Sequence, residues 1–177
     1  MSFSHLHLIL NHVPTVGAVG ALGLLLLGFA RKNEHLKHAA LEVLFVIALL
    51  TLPVYITGVA AHRELRQLPE LSDIAVRAHQ DAALYGFAVM EFAAFVGWIA
   101  LWQTRRLGQA SRGLVPAVTV LLVLAVAIMG GAANLGGEIR HPEMGTGVAA
   151  RTPAPAEGSI EGAAEGPAVN GSEPPAE

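Results

Sequence analysis

Four uninterrupted apolar runs of about 20 residues constrain this chain more than any other feature. They occupy residues 8–30, 39–61, 82–102 and 114–137. A helix of that length crosses a hydrocarbon core of roughly 30 Å. Because lipid offers no partners to backbone N–H and C=O groups, such runs satisfy them only as helices, whereas a barrel needs short alternating strands. The sequence therefore predicts an all-α fold, an integral membrane four-helix bundle over residues 1–144.

Composition narrows what the bundle can bind. The chain has no cysteine, which excludes a thiolate metal site, an iron–sulfur cluster and covalently attached c-type haem. Any cofactor must then be held by histidine, carboxylate, methionine or backbone groups. The net charge of −3 argues against nucleic acid as a partner. Residues 145–177 are rich in Gly, Pro, Ala and Glu and lack apolar periodicity, so we expect a disordered C-terminal tail.

Basic residues predict the orientation of the bundle in its membrane. The loops after the first and third runs contain Arg31, Lys32, Lys37, Arg105, Arg106 and Arg112. The opposite side has Arg63, Arg66, Arg77 and Arg140 near the runs. The positive-inside rule favours the first side as cytoplasmic. We therefore expect a multi-pass protein of the bacterial inner membrane with both termini in the periplasm.

This orientation collects six of the eight histidines at the outer surface. They are His5, His7, His12, His62, His79 and His141. Histidine is the commonest metal ligand, so the grouping indicates a binding site. An ordinary role at the membrane boundary is the alternative, since polar-tipped side chains are tolerated there.

One interpretation of this surface is a haem b held between two histidines. His12 and His79 open the first and third runs at similar depth, and small residues lie on the turns beneath each. A planar macrocycle needs such clearance, and its propionates need cations such as Arg77 and Arg140. Stripes of small residues also serve plain helix packing in membranes, which is the competing explanation.

A second interpretation is a metal site near the end of the fourth run. Glu138 and His141 are three residues apart and share a helix face, as in di-iron carboxylate bundles, but a di-iron centre needs a second such pair. A mononuclear site for iron, copper or zinc remains possible, with ligands drawn from His12, His62, His79, Glu138, His141 and Glu143. The plain alternative is that Arg140 and Glu143 form ion pairs that close the bundle end.

Several local features complete the prediction. Asn11 as an N-cap and Pro14 in the first turn predict that the first helix starts at His12. Pro53 predicts a kink, and Thr51, Tyr55 or Thr57 could bond to the carbonyl that it frees. Within the connection 63–78, the spacing of Leu65, Leu68 and Leu71 predicts a short interfacial helix, and Ser72 predicts the N-cap of the third helix. Glu91 lies near the middle of the third run, where we expect it either to be protonated and donate a structural hydrogen bond or to lie on a proton path to a quinone or cofactor.

Three motifs resemble a known group of proteins. Residues 8–14 (LILNHVP), 78–81 (AHQD) and 136–143 (GGEIRHPE) resemble bacterial four-span inner-membrane proteins classed as domains of unknown function. The resemblance covers about residues 5–144. Related four-helix domains are sometimes fused to Rieske or cytochrome c modules, so the resemblance implies an association with redox proteins.

We expect binding of a redox cofactor, haem b, for electron transfer near the quinone pool. The chain is then an electron-transfer or binding subunit rather than an enzyme, and no residue is assigned a catalytic role. The alternatives are a non-catalytic membrane subunit or scaffold of a respiratory-chain or other complex, without cofactor, and a His/carboxylate metal-binding protein.

Overall fold

The computed structural model describes residues 2–65 and 73–140, and the fold is given for those ranges. It contains five helices: α1 (Phe3–Leu10), α2 (His12–Ala30), α3 (Glu34–Leu65), α4 (Asp73–Leu107) and α5 (Leu114–Arg140). No strand occurs in the described ranges, so the predicted all-α class is confirmed. The expected cap at Ser72, most of the expected interfacial helix and the expected disordered tail lie outside these ranges.

The helices form four segments that are long and apolar enough to cross a membrane. They are Phe3–Ala30, which joins α1 and α2, Glu34–Glu64, Ile74–Leu107 and Leu114–Ile139. Each contains one of the predicted runs, and the protein is a multi-pass membrane protein. All four segments extend beyond the predicted runs at one or both ends. The apolar run marks only the part of a helix that faces hydrocarbon, and the helix itself continues toward water.

The long helices close into a bundle in chain order. α2 packs on α3, α3 on α4, α4 on α5, and α5 returns to α2, with the most extensive contact between α4 and α5. Small side chains let the backbones approach, because packing between helices in lipid depends on close contact rather than on exclusion of water. The core contains Ala18, Ala21, Leu25, Leu41, Leu44, Met90, Ala93, Val118, Leu122 and Ala125.

The start of the chain differs from the prediction. α2 does begin at His12, but Asn11 has helical backbone angles and its side chain makes no capping hydrogen bond. A separate helix, α1, precedes it and packs on the end of α3. The carboxylate of Glu64, at the end of α3, accepts hydrogen bonds from the backbone N–H groups of Phe3 (3.2 Å) and Ser4 (3.1 Å). α1 is thus capped twice: locally by the Ser2 hydroxyl, which accepts from the backbone N–H of His5 at 3.3 Å, and by the distant carboxylate of Glu64.

α3 stays helical across Pro53. The Thr57 hydroxyl lies 2.9 Å from the carbonyl oxygens of both Pro53 and Val54. Proline deprives the carbonyl of Leu49 of its usual donor, and Thr57 does not reach that group. The expected repair by Thr57 is wrong, and the polar contacts gather one turn later, around Val54.

Candidate functional site

His7 is held by a carbonyl and a glycine of α3. Its side chain is half-buried, and Nδ1 lies 3.1 Å from the carbonyl oxygen of Val54. The ring rests against Gly58, where an added Cβ would lie 2.8 Å from the ring carbon Cε1. The carbonyl of residue i in a helix lies beside residue i+4, so a glycine at that position lets a donor from another helix reach it, here in addition to the Thr57 hydroxyl. Gly58 plays this role for Val54.

His79 on α4 is held in the same way by α5. It is also half-buried, and its Nδ1 lies 2.8 Å from the carbonyl oxygen of Ala132. Its ring rests against Gly136, four residues further along, where an added Cβ would lie 3.2 Å from Cε1. The arrangement of a carbonyl followed four residues later by a glycine thus occurs twice at this end of the bundle.

These contacts fix the tautomer of both rings. A carbonyl oxygen only accepts hydrogen bonds, so Nδ1 carries the proton in His7 and in His79. The lone pair of each neutral ring is then on Nε2. Histidines that bind metals commonly donate their second ring N–H to a backbone carbonyl, and this pair has that arrangement.

The other predicted site residues are placed less favourably or lie outside the described structure. His12 is exposed at the first position of α2, and Arg77 is exposed in the first turns of α4. Arg140 ends α5, but its side chain is outside the described structure, as are His141 and Glu143.

Three side chains at this end have buried polar atoms without a hydrogen-bond partner among the described residues. They are Asn11 through Oδ1, His62 through Nδ1 and Glu138 through Oε2. The second carboxylate oxygen of Glu138 accepts a hydrogen bond from the side-chain amide of Asn134 at 3.0 Å. Buried polar atoms of this kind are costly unless a ligand, an ion or water satisfies them.

The predicted mononuclear metal site stays a prediction. Within residues 2–65 and 73–140, no group of three or more His, Cys, Asp or Glu side chains is arranged to hold a metal ion. The predicted set also uses His141 and Glu143, which lie beyond those ranges.

The sequence predicts His12 as the partner of His79 and assigns His7 no specific role. A signal for His7 is nevertheless present, because Leu6, His7 and Leu10 recur at the three- and four-residue spacing of one helix face. All three are half-buried in α1. A helix over residues 3–10 places His7 on the same face as Leu6 and Leu10, toward the bundle.

No family model, curated protein or solved structure matches the chain. The resemblance of the three motifs to four-span inner-membrane domains therefore stays a prediction.

Proposed function

We propose that the protein binds haem b and serves in electron transfer, and that His7 and His79 are the residues that would hold the haem iron. The observation that carries this proposal is the matched pair of contacts, in which each Nδ1–H donates to a carbonyl freed by a glycine. Both rings are thereby oriented with Nε2 available for iron. His79 is retained from the sequence interpretation, and His7 takes the place of His12.

Two histidines suit a haem better than a bare metal ion. The macrocycle supplies four nitrogen ligands, so the protein needs to add only two. Structural zinc sites need four protein ligands and catalytic ones three, whereas the described residues offer no such group. When bound, haem supplies reversible one-electron chemistry at iron.

The surroundings of the pair also fit an anionic macrocycle. Arg77 is exposed at the same end of α4, and Arg63 is exposed near the end of α3. Their guanidinium groups can pair with propionates in a bidentate manner. The partnerless atoms of Asn11, His62 and Glu138 provide further polar contacts. By the distribution of basic loops, this end faces the periplasm of a bacterial inner membrane, where a respiratory partner exchanges electrons.

The direct test is an optical spectrum of the full-length protein. The protein is expressed in cells supplied with haem precursor, purified in mild detergent, and measured oxidised and dithionite-reduced. We expect a Soret band and a sharp α-band on reduction, with haem near one per chain. A flat spectrum together with bound iron, copper or zinc contradicts the haem proposal in favour of a metal site. A colourless, metal-free protein that co-purifies with a larger complex contradicts it in favour of a scaffold.

A further inference from the structure

A lateral groove runs between α3 and α4, away from the histidine pair. It consists of two adjoining cavities of about 280 and 200 Å³, and both are lined by Phe45 and Trp98. The larger reaches the ion pair of Glu42 and Arg105, whose atoms lie 2.9 Å apart. The smaller is lined by Phe45, Ala48, Leu49, Glu91, Ala94, Phe95 and Trp98. Aromatic rings line both cavities, and Glu91 supplies the one carboxyl group of the smaller cavity.

Glu91 is the unusual member of this lining. It lies midway along the membrane-crossing segment Ile74–Leu107. Its Oε1 is buried and has no hydrogen-bond partner among the described residues. Ionisable residues at this depth are expensive and commonly mark functional positions. An occupant of the groove that supplies a polar atom to this carboxyl would remove the cost.

The position of Glu91 limits what that occupant can be. Phospholipid head groups stay at the interface, near the exposed ion pair of Glu42 and Arg105, whereas Glu91 lies midway along its membrane-crossing segment and deeper in the hydrocarbon region. The occupant must therefore dissolve in the membrane, carry a hydrogen-bonding atom, and fit between aromatic side chains. A flat ring that bears carbonyl groups and an alkyl tail meets all three conditions.

We propose that the groove between α3 and α4 binds a quinone, with the neutral carboxyl of Glu91 donating a hydrogen bond to a ring carbonyl. The ring lies against Phe45 and Trp98, since aromatic faces favour offset stacking. The alkyl tail extends into the bilayer. The site is separate from the histidine pair, because 12 residues of α4 between His79 and Glu91 span about 18 Å.

Tryptophan fluorescence reports directly on binding in the groove. The chain has two tryptophans, Trp98 and Trp102, and both line the larger cavity. A quinone bound there quenches tryptophan fluorescence. Decylubiquinone and menadione are titrated into the full-length protein in lipid nanodiscs. We expect saturable quenching by at least one of them.

Two variants and a control decide the role of Glu91. In Glu91→Leu the dissociation constant should rise about tenfold, the effect of one lost hydrogen bond. Glu91→Gln keeps a donor and should stay within about threefold, since an amide N–H also donates. Phe92→Leu changes an adjacent side chain that is 56% exposed and lines neither cavity, and it should bind normally.

Three results would overturn the proposal. The first is quenching that rises linearly without saturation, as simple partitioning of the quinone into lipid gives. The second is a dissociation constant that is unchanged in Glu91→Leu. The third is an equal rise of the dissociation constant in Glu91→Leu and Phe92→Leu. If Glu91→Leu fails to fold, Glu91→Gln and Trp98→Leu replace it, and loss of saturation in Trp98→Leu is then the required result. The haem spectrum is recorded on the same samples, so failure of the histidine site is recognised separately.

Discussion

Gly58→Ala tests whether the contact between His7 and α3 holds the site. The added methyl group would lie 2.8 Å from Cε1 of the His7 ring, and real Cβ contacts are not that short. The ring must retreat by several tenths of an ångström. Its hydrogen bond to Val54 is already 3.1 Å long, so this movement takes it beyond bonding distance.

The size of the effect follows from two opposing terms. Alanine is favoured over glycine inside a helix by about 1 kcal/mol. Leaving the half-buried Nδ1–H of His7 without an acceptor costs about 2 kcal/mol. We therefore expect Gly58→Ala to lower the free energy of unfolding by about 1 kcal/mol, which for a chain of this size lowers the melting temperature by roughly 2–4 °C.

Gly131→Ala is the matched control. Nothing lies within 4 Å of a Cβ added at Gly131, so only the helix propensity changes. This variant should be more stable than the wild type by about 1 kcal/mol. Melting is followed by circular dichroism at 222 nm in one detergent for all three proteins. Equal stabilisation by the two alanines would show that His7 does not rest on Gly58, and the reasoning would be refuted.

Two further predictions concern the packing around the site. Glu64→Ala removes the acceptor for the backbone N–H groups of Phe3 and Ser4, so amide exchange in α1 should accelerate while that in the long helices stays unchanged. Unaltered exchange in α1 would rule out this cap. Met90→Ala truncates a side chain that is 0% exposed and should cost about 2–5 kcal/mol, whereas Phe92→Ala at a 56% exposed position should change stability far less. Equal melting temperatures for these two variants would contradict the placement of Met90 in the core.

The bundle could be predicted from sequence because each of its helices is specified by a continuous apolar run. Each apolar run must form a helix in lipid whatever the rest of the chain does, and four such runs with short connections close into a bundle.

The site could be predicted only in part because its cause is distant in sequence. The position of His79 just before the third run predicted that it lies near one end of the bundle, beside the neighbouring helix end, where it contacts Ala132 of α5. The position of His7 depends on Glu64, which from 60 residues away accepts hydrogen bonds from the first turn of α1 in addition to the local Ser2 cap, and on Gly58, which uncovers the Val54 carbonyl. The predicted partner, His12, instead lies exposed at the start of α2.

The most direct test of the proposed haem site compares His7→Ala, His12→Ala and His79→Ala with the wild type by haem content per chain and reduced-minus-oxidised spectrum. The geometry predicts that His7→Ala and His79→Ala each lose the six-coordinate low-spin α-band, while exposed His12→Ala keeps it. Loss of the band in His12→Ala with retention in His7→Ala would contradict this assignment of the ligands and restore the pair predicted from sequence.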